Sequence, residues 1–313
     1  MKNLTPIVAC VLITACAGEA DLSIQQSYPA VDAAFAGKIN LNSLANYASQ
    51  PVPAYIRKFN DTNFITNAGA TLGRVLFYDK KLSSNETISC ASCHKQEAAF
   101  SDTATASTGV NGTTGRHSMR LVNARFAQEL KFFWDERAAS LEAQTTMPIR
   151  DHGEMGFSGT GGDPDFSVLT NRLANTGYYQ ELFKFVYGSE EVTEARIQLA
   201  LGQFIRSIQS FDSKFDTGRQ SAAANNSNFA NFTAQENQGK NLFLAPATFT
   251  GSTRTSGGLG CGGCHRVPEF DIDPNSLNNG VVGKIGGGTD LTNTRSPSLR
   301  DLVNAAGEPN GPM

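Results

Sequence analysis

Two short motifs in this chain combine thiols and an imidazole at a fixed spacing. The first is Cys90-Ala91-Ser92-Cys93-His94, and the second is Cys261-Gly262-Gly263-Cys264-His265. C-x-x-C-H is the attachment signature of a c-type haem, because two thiols about one helical turn apart reach the two vinyl groups of one porphyrin. The histidine that follows places its imidazole on the iron as proximal ligand. The motifs therefore predict two covalently attached c-type haems, with Cys90, Cys93, Cys261 and Cys264 as attachment sites and His94 and His265 as iron ligands.

A pair of C-x-x-C zinc knuckles is the alternative interpretation of these residues. The two pairs lie too far apart in the chain for an ordinary zinc ribbon. Each pair is also followed by histidine, although the chain contains only 4 histidines. Both observations favour haem over zinc.

The composition is that of ordinary globular domains. The chain has 313 residues, of which 40% are hydrophobic and 18% are charged, and its net charge is −3. At roughly 150 residues per domain this length suggests two domains. The charge gives no indication of nucleic-acid binding. Haem propionates would make the protein more acidic, which favours a basic redox partner.

The first residues have the form of a bacterial export signal. Lys2 precedes an apolar run from Leu4 to Ala15 that is too short to span a membrane. The run ends in Ile13-Thr14-Ala15-Cys16, which resembles a lipoprotein cleavage site. We therefore expect lipidation of Cys16 and a periplasm-facing protein that touches a membrane only through this lipid anchor. Alanine rather than aspartate at position 17 favours the outer membrane, by resemblance to enterobacterial lipoprotein sorting. An ordinary signal peptide followed by a free cysteine is the alternative.

The hydrophobic pattern predicts a mainly α fold with little β structure. Helices are predicted over Ile65–Phe77, Leu121–Gln144 and Glu194–Phe211, and a capping box at Thr233 predicts a helix through Leu244. An Ala/Asn/Ser-rich stretch from Ala222 to Asn231 predicts a domain boundary. The predicted organisation is a signal peptide (1–15), a tether with an irregular lead-in (16–63), a first haem domain (64–221) and a second haem domain (222–313).

Several further blocks resemble the bacterial di-haem cytochrome c peroxidase family, which includes the MauG-type enzymes. They run in order from about Ile65 to the end of the chain, and their order makes the resemblance specific. The blocks are Leu72 to Asp79, Leu82-Ser83, Phe133 to Arg137, Leu141 to Gln144, Pro148, Glu154 to Gly156, Phe211 to Asp216, Gly239 to Leu244 and Pro297 to Arg300.

The resemblance implies two cytochrome c-like domains, each carrying one haem. It also implies reduction of hydrogen peroxide to water with electrons from a small cytochrome c or a cupredoxin. The haem at His94 would be the peroxidatic one, and the haem at His265 would receive the electrons. Family members are often dimers, so a homodimer is the oligomer that the resemblance suggests.

Three catalytic residues carry over by position. Gln144 and Glu154 match the glutamine and glutamate above the peroxidatic iron, with the same ten-residue separation. A partly buried carboxylate with a raised pKa suits Glu154, because peroxide cleavage needs a proton moved between the two oxygens. Gln144 would hold the peroxide by hydrogen bonding. Trp134 matches the tryptophan between the haems and would relay electrons. The alternative for each is an ordinary polar or core residue.

The resemblance also suggests arginine partners for the haem propionates. The candidates are Arg116, Arg137, Arg295 and Arg300, and ordinary surface arginines are the alternative.

The chain departs from the family pattern in the loop after the first motif. Many family peroxidases have a Gly-His pair there whose histidine binds the peroxidatic iron until reduction releases it, whereas this chain has Gly109-Val110. We therefore expect that iron to be five-coordinate or water-bound in the oxidised protein. His117 replaces an asparagine that helps to bind an interdomain calcium, which argues against calcium here. His152 is a candidate pocket residue, with a solvated loop position as the alternative.

The resemblance leaves alternative functions open. In the family, the segment after Pro-Ser-Leu-Arg carries the distal ligand of the second haem, and this position would lie beyond Met313. The first alternative to a peroxidase is a MauG-like enzyme that oxidises residues of a protein partner. The second is a di-haem electron-transfer cytochrome without catalytic activity.

Overall fold

A computed structural model describes residues 26–59, 62–127, 131–272, 274, 277–293, 295–304 and 306–311. Within these residues the fold is mainly α. The helices are α1 (Pro29–Phe35), α2 (Asn67–Tyr78), α3 (Cys90–Cys93), α4 (Leu141–Arg150), α5 (Phe166–Ala174), α6 (Gly177–Tyr187), α7 (Glu194–Ser207), α8 (Lys214–Ser221) and α9 (Ala234–Leu244). Short 3-10 helices cover Lys80–Leu82, Gln96–Ala98, Ala124–Phe126 and Cys261–Gly263. The predicted signal peptide (residues 1–15) and the predicted lipidation site, Cys16, lie outside the described residues.

The β structure consists of three two-stranded antiparallel ladders in the described part of the chain. Each ladder closes a loop close to a C-x-x-C-H motif or includes part of one. The strands are β1 (Thr108–Gly109) with β2 (Gly112–Thr113), β3 (Ala247–Thr250) with β4 (Thr253–Gly257), and β5 (His265–Arg266) with β6 (Asp271–Ile272).

Helix α2 packs along α7, and glycines on α2 permit the close approach. A Cβ atom on Gly73 would lie 2.0 Å from the carbonyl oxygen of Ala200, and one on Gly69 would lie 2.2 Å from Oε1 of Gln203. The same Gln203 oxygen accepts a 2.9 Å hydrogen bond from the backbone N–H of Thr66, which caps α2. The helix predicted over residues 65–77 is confirmed. Gly69 and Gly73 have low helix propensity, but both lie at the contact with α7.

Helix α7 is confirmed as a buried amphipathic helix, but it ends at Ser207 rather than at Phe211. Asn123 explains the earlier end. Its backbone N–H donates to the Ile208 carbonyl at 2.9 Å, and its side chain pairs with the backbone of Ser210. These tertiary hydrogen bonds replace the next turn of the helix.

A buried ion pair joins α7 to α4. Arg206 is 2% exposed, and its guanidinium donates to both carboxylate oxygens of Glu142. Burial raises the pKa of Glu142, but Arg206 and Asn63 donate to its carboxylate and bring that pKa below its usual value. Breaking such a pair from one side leaves an uncompensated buried charge, so this contact fixes α4 against α7.

The continuous helix predicted over Leu121–Gln144 is wrong. Its described part contains one 3-10 turn, an irregular loop and the first residues of α4. Phe133 and Glu136 have positive φ angles of 73° and 56°, which an α-helix excludes. Phe132 and Ala138 exchange backbone hydrogen bonds across this loop. This local loop structure overrides the apolar pattern.

The predicted lead-in contains a helix, α1, that packs on α6. Glu181 accepts from the backbone N–H groups of Ala30 and Val31 at 3.1 and 2.9 Å, and Val31 is fully buried. Pro29 at the start of α1 favours helix initiation because its φ angle is already helical.

The region after α8 is mostly loop. Helix α9 begins with the predicted capping box, in which Thr233 and Glu236 satisfy each other's backbone N–H groups. The carbonyl groups at the C-terminal end of α9 then accept hydrogen bonds from the loop before the second motif, since the N–H groups of Leu259 and Gly260 donate to Leu242 and Ala245.

No helix among the described residues is long and apolar enough to cross a membrane.

The close contact at Gly73 and the open space around Gly239 predict opposite effects on stability when each glycine is replaced by alanine. We expect Gly73→Ala to lower the free energy of unfolding by about 2 kcal/mol, because the added methyl group overlaps the α7 backbone. Gly239→Ala on α9 meets nothing within 4 Å. That change should raise the stability of its region by about 0.5–1 kcal/mol by restricting the unfolded chain. Guanidinium titrations of the haem-loaded variants, followed by circular dichroism, measure both effects. Equal effects of the two changes would contradict this account of α2.

Candidate functional site

The first motif forms the short helix α3, which follows α2 and packs against it. Ser89 precedes this helix, and its backbone N–H donates to the Ser92 hydroxyl at 3.0 Å. Cys90 and Cys93 are separated by one turn, and the His94 N–H donates to the Cys90 carbonyl at 2.8 Å. The turn therefore holds both thiols and the imidazole in a fixed relation.

The imidazole of His94 has a defined tautomer. Its Nδ1 lies 3.0 Å from the carbonyl oxygen of Phe100, and a carbonyl oxygen only accepts, so Nδ1 carries the proton. Burial lowers the pKa of His94, although hydrogen bonds to the carbonyl groups of Phe100 and Met119 act to raise it. The neutral ring leaves Nε2 as a lone-pair donor for a metal, which is the usual arrangement of a histidine ligand with its second nitrogen hydrogen-bonded.

A cavity of about 660 Å³ lies beside the first motif. It brings together Cys90, Cys93 and His94 with all three predicted catalytic side chains, Trp134, Gln144 and Glu154. The apolar part of the wall includes Phe77, Leu141, Leu201 and Ile205. The three residues of the second motif are not part of this wall. Residues far apart in the chain thus form one site around the first motif.

Glu154 lies on the turn that follows α4. Asp151 organises this turn, because its Oδ1 accepts from the N–H groups of Gly153 and Glu154 at 2.8 and 3.0 Å. Burial raises the pKa of the Glu154 carboxyl to about 7. The Asp151 carboxylate adds to the rise and Arg137 opposes it. This carboxyl group can both accept and return a proton near neutral pH.

Gln144 lies on α4, one element before the Glu154 turn. Ser140 caps the helix by accepting from the Ala143 N–H at 3.1 Å, and Leu141 is buried. The chain reverses after α4, so two side chains ten residues apart line the same cavity.

Trp134 is held through its indole and its backbone. Its Nε1 donates to the carbonyl oxygen of His117 at 2.8 Å. Its own carbonyl accepts from the backbone N–H of Arg295 at 3.0 Å, a residue that follows the second motif. The side chain therefore lies where the first haem region meets the segment after the second motif.

The predicted propionate arginines have different surroundings. Arg300 is buried and donates to Asp216 at 2.5 Å and to the Pro268 carbonyl, so it belongs to a buried ion pair. Arg137 donates to Asp135 at 2.8 Å, and its guanidinium lies 3.6 Å from the centre of the Phe133 ring. Arg116, Arg137 and Arg295 line the cavity, whereas Arg300 does not.

A further arginine of the cavity wall, Arg120, is not among the sequence predictions. Its Nε is buried without a hydrogen-bond partner in the described residues, and its Nη2 makes one long bond of 3.3 Å to the Asn310 carbonyl. Burial lowers its pKa, while Asp301 opposes this change. No sequence signal distinguishes Arg120, since only the fold places it in the cavity.

The two remaining histidines are located differently. His117 lines the cavity, and its ring nitrogens lie 3.0 Å from the Ala104 carbonyl and 3.0 Å from the Ser101 hydroxyl. His152 is exposed on the surface and contacts Asp163 at 2.9 Å, so the solvated alternative holds for it.

The second motif has a less regular geometry. Cys261 lies in a 3-10 turn, Cys264 is exposed and His265 begins β5. Burial lowers the pKa of His265, and the Pro297 carbonyl opposes this change. Its Nδ1 is nevertheless buried without a hydrogen bond of ordinary geometry to any described residue.

The residues around the first motif fit a c-type haem. Cys90, Cys93 and His94 line the cavity, part of whose wall is apolar, and the unpartnered Nε of Arg120 would provide a cation for a haem carboxylate. At the second motif the donor set is the same, two thiols and the imidazole of His265.

Comparisons with known proteins agree with this site. The profile of the family described as di-haem cytochrome c peroxidase matches residues 67–224. The chain belongs to this family. It is an oxidoreductase family whose description implies two haems.

Individual relatives come from both branches of the family. The chain is 31% identical to the methylamine utilization protein MauG of Methylorubrum extorquens over 254 residues, 77% of this chain and 64% of the relative. It is 29% identical to the cytochrome c551 peroxidase of Nitrosomonas europaea over 271 residues, 82% and 71% of the two chains. Another MauG, from Methylophilus methylotrophus, is 32% identical over 156 residues. This match covers 50% of this chain and 44% of the relative.

A solved structure supports the fold. A MauG-like protein associated with microbial copper homeostasis superposes with a TM-score of 0.55 and 26% identity, and the match covers 81% of this chain and 75% of that one.

The two motifs predict independent loss of each haem. We expect the double change Cys90→Ser and Cys93→Ser to leave one covalent haem per chain, because the thioether bonds at the second motif are unaffected. The double change Cys261→Ser and Cys264→Ser is the matched control and should also leave one. Absorbance of the reduced pyridine complex after denaturation counts the bound haems. Zinc at the motifs and no covalent haem in the unaltered protein would contradict the prediction.

Proposed function

We propose that this protein is a di-haem cytochrome c peroxidase that reduces hydrogen peroxide to water with electrons from a small cytochrome c or a cupredoxin. The observation that carries this proposal is the position of Glu154, in the same cavity as Cys90, Cys93 and His94. A pure electron-transfer cytochrome has no need of such a carboxyl group beside its haem.

The haem, when bound, supplies the redox-active iron at which the peroxide O–O bond is cleaved. Glu154 moves the proton that this cleavage requires. Its carboxylate accepts a proton from one peroxide oxygen and donates it to the other, which leaves as water. The raised pKa of about 7 matches both steps, because the carboxyl group gains and loses a proton with little cost at neutral pH. Gln144 orients the peroxide through its amide N–H groups.

Trp134 passes electrons from the second haem region to the first. Its indole ring lies in the cavity of the first motif, and its backbone bonds the segment after the second motif. His94 and His265 are the proximal iron ligands in this scheme. We also propose the domain division at residues 222–231, and export with lipidation of Cys16 as the route to the periplasmic face of the outer membrane.

The loop after the first motif supports open access to this site. The Val110 N–H donates to the Glu154 carbonyl at 2.9 Å, and the Asn111 N–H donates to the Gly153 carbonyl at 3.2 Å. A Cβ atom on Gly109 would lie 2.1 Å from that Gly153 oxygen. Because this docked loop carries valine rather than histidine, we infer that it offers no ligand to the iron in the oxidised protein.

The second candidate function is MauG-like oxidation of a protein partner. The same valine favours it, as does the 31% identity to the MauG of Methylorubrum extorquens. In that case the residues of the cavity act on peroxide as described, but the electrons come from side chains of the partner.

The role of Glu154 predicts the effect of one substitution on the pH profile. Glu154→Gln removes the proton acceptor, so kcat/KM for peroxide should fall about 100- to 10,000-fold. In the unaltered protein the rate should rise with pH through about 7 and level off above it, because the carboxylate is the active form and its pKa is raised to that value. The exposed Glu190→Gln is the control and should change neither rate nor profile. An unchanged rate in the Glu154 variant would remove this residue from the mechanism.

The proposed open site predicts activity without prior reduction. The air-oxidised, haem-loaded protein is mixed with hydrogen peroxide and reduced cytochrome c, and oxidation of the cytochrome is followed. Immediate turnover is expected. A long-lived oxidised species with little turnover would favour the MauG-like function. A protein that reacts only after reduction would show that another side chain binds the iron.

A further inference from the structure

Arg116 lies between the Trp134 loop and the segment that follows the second motif. Its Nη1 is 2.9 Å from Oδ2 of Asp135, the residue after the tryptophan. Its Nε and Nη2 donate to Oδ2 of Asp290 at 3.1 and 2.5 Å, and Nη2 also donates to the Thr292 hydroxyl at 2.9 Å. One guanidinium thus joins two carboxylates that are 155 positions apart in the chain.

The acceptor at the far end of this contact has its own set of hydrogen bonds. Asp290 is buried, and its second oxygen accepts from both the N–H and the hydroxyl of Thr292 at 2.9 and 2.6 Å. The Arg116 side chain is itself only 26% exposed. A planar guanidinium binds such a carboxylate with a defined orientation, which a lysine ammonium does not reproduce.

The same two chain segments also contact Trp134 itself. His117, the residue after Arg116, accepts from the indole N–H, and Arg295 donates to the Trp134 carbonyl. The segment at Arg116 and His117 thus bonds the indole, and the segment at Asp290 and Arg295 bonds the backbone of the same residue. The ion pairs of Arg116 hold these two segments together beside the tryptophan.

We propose that Arg116 is a positioning residue for Trp134, and that it couples Asp290 and Thr292 to the relay between the two haem regions. This inference rests on the proposed function, because it assumes that Trp134 carries electrons. In each transfer Trp134 loses one electron toward the His94 site and regains one from the His265 site, so its own oxidation state is unchanged. Arg116 takes part in neither step and acts by holding the indole ring in place.

The role of Arg116 differs from that of a propionate partner. A guanidinium with carboxylates on two sides is already neutralised, and the wall of the cavity offers Arg120, whose Nε is without a partner in the described residues. Removing Arg116 should therefore disturb the relay and leave the binding of the first haem unchanged.

The test measures electron transfer between the haems in the intact holoprotein. Arg116→Gln removes both ion pairs, and Asp290→Asn weakens the pair with the segment after the second motif while leaving the Asp135 pair in place. Arg116→Lys keeps the charge but cannot bond both carboxylates with the same geometry. Arg196→Gln is the matched control, since Arg196 is a similarly buried arginine paired with Glu191 at a distance from Trp134. Flash reduction of the second haem, followed by absorbance, gives the transfer rate in each variant.

We expect Arg116→Gln and Asp290→Asn to slow the transfer about 10- to 100-fold, because a displacement of about 1 Å at a remote contact has effects of this size. Arg116→Lys should recover part of the rate, and Arg196→Gln should match the unaltered protein. Haem content and the KM for peroxide should stay the same, whereas kcat should fall with the transfer rate. The thermal midpoint should fall in Arg116→Gln, which leaves the buried Asp290 carboxylate without its cation, and less in Asp290→Asn, which leaves Arg116 paired with Asp135. Loss of haem in step with the transfer rate, or slower transfer in Arg116→Gln without slower transfer in Asp290→Asn, would assign Arg116 a structural role instead.

The failure of this inference is distinguishable from failure of the proposed function. Unchanged transfer in both Arg116→Gln and Asp290→Asn, in a protein that turns over peroxide, overturns the positioning role alone. A protein that never reduces peroxide overturns the proposed function, and the transfer rate between the haems still decides the role of Arg116.

Discussion

The contact between α2 and α7 is the constraint on which the first half of the structure depends. Helix α2 leads through a 3-10 turn to the first C-x-x-C-H motif, and α7 binds α4 through the buried pair of Arg206 and Glu142. The closeness of α2 to α7, set by Gly73, therefore fixes the distance between the motif and the helix that carries Gln144. The part of the cavity wall that Phe77, Gln144 and Leu201 contribute is held in place by these helix contacts.

Sequence reasoning succeeds where the local signal agrees with the fold. The motif residues, the helices α2, α7 and α9 and the capping box at Thr233 are all local features, and the structure has them. The joint position of Gln144 and Glu154 could be predicted only from the family resemblance, because it depends on the chain reversal after α4. Nothing in the spacing of these two residues indicates a shared cavity.

The failures of sequence reasoning have a common physical cause. The apolar pattern from Leu121 to Gln144 suggests a helix, yet Asn123 takes a positive φ angle and bonds Ile208, and the carbonyl of Trp134 bonds Arg295. Arg120 is unremarkable in sequence, and only the fold places its guanidinium in the cavity. In each case a contact between residues far apart in the chain determines the outcome, and such contacts leave no periodic signal.

The docked loop at Gly109 and Val110 shares its backbone hydrogen bonds with the turn that carries Glu154. The peptide groups that bond this loop are those of Gly153 and Glu154, so the loop cannot move away without loosening that turn. In the proposed mechanism, a histidine at position 110 would have to leave the iron by such a movement and would disturb the carboxyl group that transfers the proton. With valine at this position the loop can stay in place as a support for Glu154. On the proposed mechanism, the same backbone bonds would thus account both for open access to the first site and for the fixed position of its carboxyl group.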